Sequence, residues 1–112
     1  MRWLVVAAGI TGALGLLGAT IHAHVRPLPA LGQAASIALF HAPLLLWLSR
    51  EKGEFFPLLL AVGFLVGVIL FAGAIYLRYL GGIERATVVA PVGGSLLLLS
   101  WVGLAMWGLL GK

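Results

Sequence analysis

Four long apolar runs, separated by three short polar or Pro/Gly-rich breaks, account for nearly the whole chain, spanning about 3–23, 30–49, 55–76 and 86–110. Each holds roughly 20 residues or more, and at about 1.5 Å of rise per residue that length crosses a hydrocarbon core of roughly 30 Å. Backbone polar groups in lipid must be satisfied within their own segment, so such runs are expected as helices. The pattern predicts an all-α integral membrane protein: one four-transmembrane-helix bundle covering residues 1–112.

The breaks are legible residue by residue. His24-Val25-Arg26-Pro27-Leu28-Pro29 stops the first helix, because two prolines at alternate positions cannot continue it and favour extended backbone before them. Arg50-Glu51-Lys52-Gly53-Glu54 is a solvated turn, and Gly81-Gly82-Ile83-Glu84-Arg85 is the third. Pro43 lies inside span two, where it leaves the carbonyl of Leu39 without its usual donor and is expected to kink the helix. Pro91 followed by Gly93-Gly94-Ser95 reads as a close-packed or irregular start to span four, a Pro-Gly-Gly break with backbone groups free to hold something small.

Small residues fall on particular faces. Ala8, Gly12, Gly15, Ala19 and His22 share an arc of span one, and Ala34, Ala38, His41 and Leu45 share a face of span two. Gly63 and Gly67 with Ala74 form a stripe on span three, and Ala90, Gly94, Trp101, Ala105 and Gly108 share a face of span four. Such stripes let helix backbones approach closely, which makes Gly12, Gly15, Gly63, Gly67, Ala74 and Gly94 the expected packing positions. Tyr76, Arg78 and Tyr79 read as an interfacial anchor ending span three.

Composition narrows the function classes. Hydrophobic residues make up 62% and charged residues 9%, outside the range of a soluble domain of this size. The net charge of +4 is spread singly between apolar runs, a footprint of membrane topology and not of nucleic acid binding. With no cysteine, disulfides, thiolate metal sites, cysteine nucleophiles and covalently held haem are all excluded. The first run is long for the core of a cleaved leader, and His22-Ala23-His24 at its end does not resemble a cleavage site. Arg2, Arg50, Lys52 and Lys112 fall on one side, against Arg26, Arg78 and Arg85 on the other, which favours both termini inside a bacterial inner (cytoplasmic) membrane.

Catalytic chemistry is sparse. Glu51, Glu54 and Glu84 all lie in loops, which argues against a small multidrug transporter, whose proton exchange needs a membrane-embedded glutamate. The chain has no aspartate, so no Ser-His-Asp set exists, and Gly93-Gly94-Ser95 lacks the lysine of a phosphate loop. The histidines His22, His24 and His41 are the candidate ligands or proton carriers. His22 and His24 end span one, whereas His41 lies roughly 12 Å from the opposite end of span two. That offset argues against b-type haem held by two histidines, and His22 and His24 alone lack a third metal ligand. No catalytic, cofactor or metal residue is assigned, and His41 is expected to hydrogen-bond a neighbouring helix or to help repair the backbone near Pro43.

Leu70-Phe71-Ala72-Gly73-Ala74-Ile75-Tyr76, followed by Ala90-Pro91-Val92-Gly93-Gly94 and then Ser100-Trp101, resembles the paired signature of the YgdD/transmembrane-protein-256 family, domain of unknown function 423. Members of that family resemble one another in an F-S/A-G-S-x-Y segment, a T-P-x-G-G segment and a later tryptophan. Phe40-His41, with Gln33 upstream, is similar to a family Phe/Tyr-His pair, and Gly15-Leu16-Leu17-Gly18-Ala19 is similar to a G-A-x-G-A-H segment. Thr20 stands where the family commonly has histidine, Ala74 where it has serine and Ala90 where it has threonine. The resemblance implies architecture and carries no activity.

Two functions follow as expectations. The first is an accessory or assembly subunit of a larger membrane complex, or a homo-oligomer, acting through helix contacts within the lipid bilayer. The second is a minimal transporter or channel whose cavity is lined by His41, Pro43, Pro91, Gly93 and Gly94, with His22, His24 and Tyr76 as further polar candidates. An enzyme or cofactor carrier using the histidines stands behind both.

Overall fold

A computed structural model describes residues 2–25, 27–51 and 55–110. Arg26, Lys52 and Lys112, three of the charges that set the expected sidedness, lie outside the described residues, as does Glu54. Among the described residues the chain is all-helical, with four helices long and apolar enough to cross a membrane. They are α1 (Arg2–His24), α2 (Pro29–Leu48), α3 (Phe55–Tyr79) and α4 (Ala90–Leu109), with a 3₁₀ segment over Glu84–Val89 leading directly into α4.

Local chemistry explains each boundary. Pro29 opens α2 behind an extended Leu28, whose backbone N–H finds its acceptor in Nδ1 of His22 at 3.0 Å. The turn is thus capped by the last histidine-bearing turn of α1, not by a side chain of its own helix. At the end of α3 the Leu77 carbonyl accepts from the N–H groups of both Gly81 and Ile83, at 3.1 Å each. That wrap needs Gly82 at φ +73, a left-handed conformation that costs glycine nothing. Arg78 then reaches Glu84 at 3.7 Å across the same turn.

One feature differs from expectation. No break follows Pro91: it sits in the first turn of a continuous helix, where its missing N–H would be unpaired anyway, and Gly93 and Gly94 are ordinary helical positions. The irregularity comes earlier, in the 3₁₀ segment over Glu84–Val89. α2 runs as one helix through Pro43. Pro43 itself is exposed, on the side of α2 turned away from His41.

The helices lie in the order α1, α2, α3, α4, with α1 also touching α3 and no approach of α1 to α4 among the described residues. α2 and α3 are therefore the middle of the molecule, and α1 and α4 are its flanks. The core is built where they meet, from Leu4, Ala8, Ala34, Ala38, Leu45, Leu48, Ala61, Phe64, Val68 and Ala72, with Trp107 and Leu97 from α4. Two seams are tight enough to require glycine. A Cβ on Gly15 would stand 3.0 Å from the backbone nitrogen of Leu39 and 3.2 Å from the Ala35 carbonyl, fixing α1 on α2. A Cβ on Gly93 would strike the Phe71 backbone nitrogen and stand 2.8 Å from the Gly67 carbonyl, fixing α4 on α3.

Candidate functional site

His41, 3% exposed, is the buried polar group at the centre of the molecule. It belongs to the face of α2 that also buries Ala34, Ala38 and Leu45. Its Nε2 lies 3.1 Å from Nε1 of Trp101, and its Nδ1 lies 2.8 Å from the Ile37 carbonyl. An indole N–H can only donate, so Nε2 accepts; Nδ1 then carries the proton and donates to Ile37. The imidazole is neutral and both of its nitrogens are used. Its bond runs to Ile37, one turn back, and not to the Leu39 carbonyl that Pro43 leaves short.

Rings close the space around it. Phe64 of α3 stands 5.8 Å from the imidazole and 5.2 Å from Trp101, edge to face with the indole. Phe40 meets His41 edge-on at 5.5 Å. Towards the other end of the helices, Trp47 and Phe56 pack on Trp107 at 6.2 and 6.4 Å. The backbones of α2 and α4 stay apart, and these long rings bridge them. Quadrupole-matched geometry of this kind adds about 0.5–1.5 kcal/mol per pair beyond area burial.

A second polar bond ties α3 to α1. Tyr76 Oη donates to the Leu14 carbonyl at 2.6 Å. The hydroxyl fits only because Gly18 has no Cβ, which would otherwise collide with it. Tyr76→Phe is expected to cost about 1 kcal/mol of stability, the net worth of one hydrogen bond. The check is the thermal midpoint in detergent, with an unchanged midpoint counting against the bond.

The residues singled out from the sequence do not assemble into one cavity. His41 is sealed among rings, whereas Pro43 lines a shallow groove on the opposite side with Val5, Gly9 and Leu46. Pro91 is exposed at the start of α4, ten residues or about 15 Å of rise from Trp101. His22 caps the turn at Leu28 and lies over Gly32, and His24 is exposed. Of the packing positions, Gly15, Gly63 and Gly67 sit in tight contacts and Ala74 is buried. Gly12 and Gly94 do not: a Cβ on either would make ordinary contact, 3.6 Å from Ala42 and 3.7 Å from Phe71.

The face of α4 also differs from expectation. Gly93, Leu97, Ser100 and Trp107 are its buried residues, one position away from the Gly94, Trp101, Ala105 and Gly108 stripe. Ser100 Oγ lies over Gly63 and Leu97 over Gly67, so α3 selected that rotation. Sequence reasoning missed Gly18, Ser100 and Leu97 as contact residues. Ser100 was visible only beside Trp101 in the family-like signature.

A family model described as a protein of unknown function, DUF423, matches residues 8–94. The match covers most of α1, all of α2 and α3, and the first turn of α4, leaving Trp101 beyond it. No solved structure matches the chain.

Proposed function

For this chain, which belongs to the DUF423 family of proteins of unknown function, we propose a role as a multi-pass protein of a bacterial inner membrane that works by helix contact. It acts as an accessory or assembly subunit of a larger membrane complex, or as a homo-oligomer, with both termini inside. The single observation that supports this most is the closed polar centre. Both nitrogens of His41 are engaged within the chain and aromatic rings surround it, so the group holds helices together instead of lining a path. The flanking placement of α1 and α4 leaves Leu16, Leu17, Leu98 and Leu99 exposed and able to meet other helices.

The test is purification of the tagged protein from membranes in gentle detergent, followed by native mass spectrometry. A stoichiometric complex with companion chains, or a defined homo-oligomer, is expected. A monomer alone, at every protein and detergent concentration tried, would sink the reading.

A further inference from the structure

Two adjoining hollows run along α3 on the side facing α1. The first, about 310 Å³, is walled by Ile10, Thr11, Leu65 and Ala72 and floored by Ala38. The second, about 650 Å³, continues past Leu77 and Leu80 to Arg85 and Val89 of the 3₁₀ segment. They share Leu14, Ile69, Gly73 and Tyr76, so they form one groove. From Leu65 to Leu77 it follows α3 for about 18 Å, and it continues past the helix end to Gly81 and Arg85. One leaflet of a bilayer, headgroups included, is about 20–22 Å deep.

We propose that this groove seats one acyl chain of an anionic phospholipid, with the headgroup phosphate at Arg85. The lining is almost wholly apolar along its length, as a hydrocarbon chain requires. Its one charged lining residue is Arg85, a cation placed at the end of α3 where a phosphate of that leaflet would lie. The neighbouring cation, Arg78, is directed to Glu84 instead. Gly73 lies between the two hollows, and nothing stands within 4 Å of where its Cβ would be. The groove is thus open at the position where any other residue would narrow it. The proposal rests on the membrane-embedded reading of the chain and is independent of whether the chain acts through helix contacts.

The probes are phosphatidylglycerol and phosphatidylcholine of identical acyl composition, titrated onto the detergent-purified protein and followed by native mass spectrometry. The wild type is expected to retain one phosphatidylglycerol per chain, about fivefold more tightly than phosphatidylcholine, the contribution of one interfacial arginine. Arg85→Gln should abolish that preference while keeping a bound lipid. Gly73→Leu should lower retention of both lipids and, having room, leave the thermal midpoint unchanged. Equal retention of the two lipids by the wild type would overturn the proposal. So would several lipids per chain unaffected by either substitution, which is an annular shell, or a dimer that carries no lipid. Companion chains appear as separate masses, so failure here and failure of the proposed role are told apart.

Discussion

Gly93→Val is expected to prise α4 from α3 and to lower stability by about 3 kcal/mol or more. The neighbours of the new Cβ are backbone atoms, the Phe71 nitrogen, the Gly67 carbonyl and the Leu70 carbonyl carbon, and none can swing aside like a side chain. Overpacking that side chains can absorb costs about 1–3 kcal/mol, and here whole helices must move. Gly94→Ala is the internal control, since its Cβ would meet only the Phe71 ring at 3.7 Å. It should leave stability unchanged or raise it by up to about 1 kcal/mol, the helix-propensity advantage of alanine over glycine. Thermal unfolding in detergent, read through tryptophan fluorescence, compares the two. Equal midpoints for the two variants would mean that the α3–α4 seam is not where the structure places it.

Removing the His41 side chain is expected to have the next largest effect. His41→Leu fills similar space but leaves the Trp101 indole N–H without its acceptor, a desolvated donor worth about 1–3 kcal/mol. Trp101→Phe makes the reciprocal change, orphaning Nε2. The double variant His41→Leu with Trp101→Phe should cost less than the sum of the two by about 1 kcal/mol, because an apolar pair leaves nothing unpaired. Polar pairs between helices in membranes average about 0.6 kcal/mol, so that coupling lies within the observed range. Strict additivity would show that the two rings do not bond.

The two glycine sites show where sequence reasoning stops. Gly93 and Gly94 are identical in composition and differ by 100° around one helix. The small-residue stripe through Gly94, Trp101, Ala105 and Gly108 looked like the contact face, yet Ala105 and Gly108 are exposed. A helix that is apolar on all sides carries no amphipathic signal to choose a face. The choice fell to Gly63 and Gly67 on α3, whose surfaces accept Ser100 and Leu97. α2 was different: His41, the polar side chain in the middle of its length, had to turn inward, and it took Ala34, Ala38 and Leu45 with it, while Gln33 and Ser36 nearer the helix start are exposed.

What the sequence determined by itself was local. Runs of apolar residues make helices through bonds within each run, and prolines and glycines such as Pro27, Pro29 and Gly82 end or turn them wherever the runs lie. The histidine on α2 selected a face for the same reason. The tertiary structure alone decided the rest: the rotation of α4, the need for Gly93 and Gly18, the pairing of His41 with Trp101 and the groove that ends at Arg85. Each of these depends on atoms brought together from distant parts of the chain, and a uniformly apolar surface does not encode which distant atoms will meet it.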